Sequence, residues 1–197
     1  MKITQRLLTP NEYSRPQKTI KELLGIVIHW TANPYANAEQ TRFFFEAKKT
    51  GMGGYGSAHY IIGQNGEIIQ CIPTNEIAYH CGTNQKDPKS NQFYTDYARR
   101  KFKHYAVHWQ VTSPNYCTLG IELCPTDKEG HFADKTIESA IDLCVYLCKK
   151  HKLTADDITT HHNIVGWKDC PRLWTNQSEL FDAFKASVKD KIDREKV

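Results

Sequence analysis

A chain of 197 residues with 40% hydrophobic and 24% charged side chains has the balance of one globular domain, not of a disordered, collagenous or coiled-coil chain. Its net charge of +4, from 26 basic and 22 acidic residues, is too mild to point to nucleic acid as a partner. No apolar run reaches the roughly 18–20 residues of a membrane span, so no membrane is expected as a partner either.

The opening stretch MKITQRLLTPNEYSRPQ lacks the apolar core of a signal peptide and soon turns polar. The expectation is a soluble chain synthesised in the cytoplasm without a signal peptide. Seven cysteines, an odd number at scattered spacings, do not read as a secreted disulfide framework but as mostly reduced thiols. Gly25 to Trp30 (GIVIHW) is a short apolar run that predicts a buried strand. Residues 37–49 (NAEQTRFFFEAKK) have helical composition and end in lysines before Gly51. The glycine-rich stretch from Gly51 to Gly56 predicts a loop. Two strand-like runs follow, Ala58 to Ile62 and Glu67 to Ile72, and the Asn65-Gly66 pair between them is a hairpin signal.

Residues 82–116 are polar and without a clean period, and predict a long loop with some helix. In a compact domain such a loop is usually functional or mobile. Cys117 to Cys124 is strand-like again and is closed by Pro125. In residues 135–152, Ile137, Ile141, Cys144, Val145 and Cys148 stand at helical spacing. Leu180, Phe181, Phe184 and Val188 mark a final amphipathic helix over residues 177–192. Strands alternating with helices, plus one hairpin, predict a single α/β domain with a central mixed β-sheet flanked by helices.

The strongest chemical signal is HHNIVGWKDCP, His161 to Pro171. His162 and Cys170 stand eight apart across a glycine turn, and both residue types are good Zn²⁺ ligands. His29 qualifies as a third ligand because it lies near the end of a buried strand, where a sheet delivers side chains to a shared rim. Three protein ligands leave a fourth position for water, the arrangement of a catalytic and not a structural site. Any one of the nine histidines also has a simpler reading as an ordinary, satisfied side chain. Glu122 sits inside Leu119–Leu123 (LGIEL), where a carboxylate is costly to bury without a partner or a task. It suits a general base beside a metal or, by strand alternation, a solvent-facing position. Lys168, two residues before Cys170, suits an oxyanion donor or a solvated turn. Cys144 and Cys148 fall on the apolar stripe of their helix, which favours core packing over a second metal site.

These residues carry a resemblance. The chain resembles the zinc-dependent N-acetylmuramoyl-L-alanine amidases, the group of phage endolysins, autolysins and the related peptidoglycan recognition proteins. The matching pieces are IVIHWTA (Ile26–Ala32), SAHYIIGQNGEIIQ (Ser57–Gln70), EIAYHCGTN (Glu76–Asn84), TLGIELC (Thr118–Cys124) and HHNIVGWKDCPRLW (His161–Trp174), in the family's order. The resemblance implies His29, His162 and Cys170 as zinc ligands. His162 is preferred to His161 because its spacing to Cys170 matches the family's lysin branch. It further implies Glu122 as the proton-transferring glutamate, Lys168 as a second catalytic residue and His80 as a substrate-binding residue beside the groove. Some relatives have a catalytic tyrosine where this chain has Ala58, a departure that leaves catalysis leaning on Glu122.

The division implied is an N-terminal extension over 1–24, the zinc amidase catalytic domain over 25–176 and a C-terminal helix and tail over 177–197. The implied reaction hydrolyses the amide between the lactyl group of N-acetylmuramic acid and L-alanine of the stem peptide. The partner is then peptidoglycan, glycan strand and stem peptide together, reached after release to the cell wall. Tyr79, Trp109 and Trp167 are candidates for the groove rim. The basic run Arg99-Arg100-Lys101-Lys103 suits anionic wall polymers or, as the preferred reading, a solvated face. Three rivals stand beside this reading: a recognition module that binds without cutting, a cytosolic muropeptide-recycling amidase, and a cysteine hydrolase built on Cys170.

Overall fold

Residues 25–30 are apolar apart from His29, and in the computed structural model, which describes residues 1–107 and 112–195, they form a strand buried along its whole length. This strand, β2 (Gly25–Trp30), lies between β5 (Thr118–Leu123) and β6 (Ile158–Thr160), parallel to both. Central parallel strands are covered on both faces, so a continuous apolar run is what such a position demands. The hairpin expected at Asn65-Gly66 joins β3 (Tyr60–Ile62) antiparallel to β4 (Ile68–Gln70). An edge strand β1 (Ile3–Gln5) adds parallel to β4, giving a six-stranded mixed sheet in the order β1-β4-β3-β5-β2-β6.

The sheet is covered by helices on both faces. On one face Ile26, Ile28, Leu119, Ile121 and Leu123 pack against α3 (Asp134–His151) and α6 (Ser178–Arg194) through Ala140, Leu143, Leu147, Phe181, Phe184 and Val188. Each fully buried side chain of this kind contributes about 1.5–3 kcal/mol. Cys144 and Cys148 belong to this core, and burial pushes both thiols up, so they are packing residues. On the other face α1 (Ala38–Ala47) sets Ala38 and Phe45 against Ile61 and Ile69. The capping box between Asn37 and Gln40 starts that helix. Beside it α2 (Asp96–Phe102) sets Ala98 and Phe102 against Val27. Two short helices, α4 (His161–Val165) and α5 (Arg172–Asn176), complete the order. Among the described residues no helix is long and apolar enough to cross a membrane.

Residues 1–24 and 177–195 are woven into this body. Leu8 joins the core beneath α1. Arg15 makes a two-pronged pair with Glu76 (Nε to Oε2 2.9 Å, Nη2 to Oε1 2.8 Å) and donates a third bond to the Leu8 carbonyl. The Phe181 and Phe184 rings of α6 close on Trp174. Within 82–116, Tyr94, Ala98, Phe102 and Ala106 are buried, so that stretch is anchored to the body by one face. Trp109 lies outside the described residues. In the basic run, Arg99 pairs with Asp96 and Lys101 with Asp157.

His59 shows how the sheet orders its histidines. It is fully buried; its Nδ1 accepts from the Gly120 N–H at 2.9 Å and its Nε2 donates to the Glu76 carbonyl at 2.8 Å. This is a neutral ring with a fixed tautomer, and burial holds its pKa down to about 4 from an ordinary 6.5. Between these values the unfolded chain binds the extra proton. The stability present above pH 6.5 is therefore lost as pH falls toward 4, by roughly 3 kcal/mol for this residue. NMR titration of metal-free protein is expected to find the His59 ring neutral down to about pH 4. A midpoint near 6.5 would mean that the ring is open to solvent.

Candidate metal centre

The parallel register builds the site. His29 on β2 is paired with Glu122 on β5, and Ile28 is paired with Thr160, the last residue of β6. One step beyond Ile28 and Thr160, His161 comes level with His29, so Glu122, His29 and His161 stand side by side at the carboxyl ends of three adjacent parallel strands. Sites of parallel sheets collect at that edge. Thr160 caps α4 by accepting from the Asn163 N–H, so His161 is the first helical residue and stays beside the sheet.

Cys170 arrives by a turn that folds back on α4. The His162 N–H donates to the Cys170 carbonyl at 2.9 Å, and the Gly166 N–H donates to the His162 carbonyl at 2.7 Å. Gly166 ends the helix with φ of +76°, and a Cβ there would come within 2.2 Å of the Asp87 carboxylate. Conformation and space therefore both require glycine at this position.

The donor atoms of His29, His161 and Cys170 all lie within 4.8 Å of one another, and all three residues are buried. Cys170 Sγ is 3.7 Å from His29 Nδ1. Both ring nitrogens of His161 are buried without a hydrogen-bond partner. Leaving such a group unpaired costs about 1–3 kcal/mol, and a cation held here would relieve one of the two. Burial first, then neighbouring histidine and lysine charges, holds His29 and His161 well below the ordinary imidazole range, in the neutral form that coordinates metal. Burial pushes the Cys170 thiol up to about 12, with Glu122 adding to the shift. Two imidazoles and one thiol facing a common point fit a tetrahedral Zn²⁺ with one open position.

The structure brings His161, and not the expected His162, to His29 and Cys170. A helix turns about 100° per residue, and this carries the His162 ring out of the cluster. There it borders a separate pocket with Tyr97 and Trp174, and its Nδ1 donates to the Lys168 carbonyl at 3.1 Å. The spacing that reaches the cluster is thus nine residues, from 161 to 170.

Glu122, Lys168 and His80 all border the same groove as the trio, a space of about 1310 Å³. Glu122 is half-buried, and its Oε2 has no hydrogen-bond partner. Burial raises its pKa to about 8, opposed by the charge of Lys168. Lys168 is exposed at the rim. The rim also carries Tyr79 and Trp167, whose indole N–H donates to Thr83 Oγ1 at 2.9 Å. His80 lies beside the groove, as expected, but turns its ring inward. It is only 8% exposed, and its ring is held by His29 and Thr118. Ala58 is fully buried.

Comparison with known proteins agrees with this architecture. The family model described as N-acetylmuramoyl-L-alanine amidase matches residues 20–173. A probable N-acetylmuramoyl-L-alanine amidase of Bacillus licheniformis is 30% identical over all of this chain and 50% of its own length. The N-acetylmuramoyl-L-alanine amidase BlyA of Bacillus subtilis strain 168 is 33% identical over 98% of this chain and 48% of its own. The chain thus spans about half the length of the curated relatives it matches. Among solved structures, the catalytic domain of XlyA superposes with a TM-score of 0.68 at 23% identity, covering 95% of this chain and 99% of that one. The PlyG catalytic domain gives 0.70 at 20% identity, covering 98% and 96%. These last two likenesses are likenesses of fold.

Proposed function

This chain belongs to the N-acetylmuramoyl-L-alanine amidase family, and from that membership we propose that it is a zinc hydrolase of bacterial peptidoglycan. Its reaction is cleavage of the amide between the lactyl group of N-acetylmuramic acid and L-alanine of the stem peptide. The observation that carries this reading is the buried trio of His29, His161 and Cys170, with the His161 nitrogens unpaired.

Zn²⁺ held by the trio supplies a Lewis acid for the scissile carbonyl and lowers the pKa of water to about 7. The residues of the chain do the rest. Glu122, which lines the groove and has one carboxyl oxygen without a partner, takes the proton of the attacking water and returns it to the departing amine of L-alanine. Lys168 Nζ, at the rim of the same groove, donates to the oxyanion as it develops. The groove itself is open enough for a polymer to lie across it. Cys170 is committed to the trio with a thiol that burial keeps protonated in the metal-free chain, so it does not serve as a nucleophile. An unpaired Glu122 beside a complete ligand set also supports cutting over mere recognition.

Incubation with intact sacculi tests the reading. We expect free stem peptides with an L-alanine N-terminus, identified by mass spectrometry, to disappear with a chelator and return with Zn²⁺. Tight binding to sacculi without any release by zinc-loaded protein would make it a recognition module. Cleavage confined to small soluble muropeptides would make it a recycling enzyme.

A further inference from the structure

We propose that His80 is a positioning residue that fixes the tautomer of His29, turning the lone pair of His29 Nδ1 toward Cys170. The proposal rests on the zinc reading for its purpose and on hydrogen bonds alone for its geometry. Four groups form a chain whose protons are ordered from an acceptor-only carbonyl at one end, with Cys81 Sγ a more distant neighbour at 3.6 Å from Thr118 Oγ1 and 4.0 Å from His80 Nε2. Thr118 Oγ1 lies 2.6 Å from the Pro114 carbonyl. A carbonyl only accepts, so the hydroxyl proton points there. The hydroxyl oxygen is then an acceptor for His80 Nε2 at 3.2 Å, which places the proton of a neutral His80 on Nε2. Its Nδ1 is left bare and faces His29 Nε2 at 2.9 Å. His29 must donate from Nε2, and its Nδ1 stays free beside Cys170 Sγ.

The backbone is shaped to hold this ring. Asn115 Oδ1 accepts from two consecutive backbone N–H groups, of His80 at 3.0 Å and of Cys81 at 2.8 Å. Gly120 on β5 supplies the space: a Cβ there would lie 2.6 Å from His80 Cγ and 2.8 Å from its Nδ1. No side chain larger than glycine leaves the His80 ring where it is. A ring so engaged has no ring nitrogen left for substrate. Outer partners that orient a ligating imidazole in this way commonly sustain metal affinity by 10–100-fold.

The test measures zinc affinity and His29 tautomer in the same proteins. His80→Phe keeps the ring volume and removes both bonds; Thr118→Val removes only the far end, and Thr118→Ser restores it. Competition with a chromophoric chelator is expected to show zinc bound about 10–100-fold more weakly in His80→Phe. A smaller loss is expected in Thr118→Val, and near parental affinity in Thr118→Ser. In ¹⁵N NMR of the metal-free parent, His29 is expected as the Nε2–H tautomer, with a mixture of tautomers in Thr118→Val. This second reading does not depend on His80→Phe folding. Parental zinc affinity in a folded His80→Phe, or His29 found as Nδ1–H in the metal-free parent, overturns the proposal. Should the parent bind no zinc at all, the zinc reading fails, while the tautomer of His29 still decides the relay.

Discussion

His161→Ala is expected to lose stoichiometric zinc and to lower turnover on sacculi by at least about a thousandfold, since metal activation of water and carbonyl is worth several kcal/mol. His162→Ala, one residue along, is expected to keep both within roughly threefold of the parent, as changes away from the reacting groups usually do. The contrast is large because adjacent residues at the start of a helix face different spaces. His161 continues the line of β6 into the cluster, and its unpaired nitrogens have no other use. His162 already spends its Nδ1 on the Lys168 carbonyl and borders another pocket. Metal analysis of both variants, beside circular dichroism to verify folding, checks the pair. Zinc lost from His162→Ala and retained by His161→Ala would restore the eight-residue spacing and overturn the ligand set proposed from the register.

Glu122→Gln is expected to lower kcat by about 10²–10⁴-fold while leaving zinc content unchanged. The amide is nearly isosteric, so shape and packing survive, but it cannot accept the proton of water at neutral pH. Stability separates this role from a structural one. A carboxylate oxygen buried without a partner is a burden on the fold, and replacing it with a neutral amide should leave the melting temperature unchanged or higher. Loss of activity together with a marked drop in melting temperature would show that Glu122 holds the site together and does not move protons in it. Single-turnover kinetics on a soluble muropeptide, with the melting temperature measured in parallel, gives both readings.

Much of the molecule was legible in the residues because its central elements follow simple periods. The apolar runs of β2 and β5 announce strands buried on both faces, and the stripe of α3 follows the 3.6-residue turn. The two strands that escaped, β1 and β6, are only three residues each. A run of that length carries no period, and unlike the equally short β3 and β4 they have no hairpin turn to mark them. Missing β6 had a consequence at the site. Without it, nothing in HHNIV tells which histidine extends the strand, and only the spacing to Cys170 separates the two. Had Ile158–Thr160 been placed parallel to β2, the register Ile28 to Thr160 would have set His161 beside His29. The His29, His80 and Thr118 contacts were out of reach for another reason. They join three segments far apart in the chain, and the one local clue was a glycine inside a strand, at position 120, the kind of position where another group approaches closely.

Anomalous diffraction at the zinc edge would locate the ion that His29, His161 and Cys170 are proposed to share. Crystals of zinc-loaded protein are expected to show a single strong peak about 2.0–2.1 Å from His29 Nδ1 and from a His161 ring nitrogen, and about 2.3 Å from Cys170 Sγ. A peak on His162, or between Cys144 and Cys148 with none at the trio, would show that His29, His161 and Cys170 do not hold the metal.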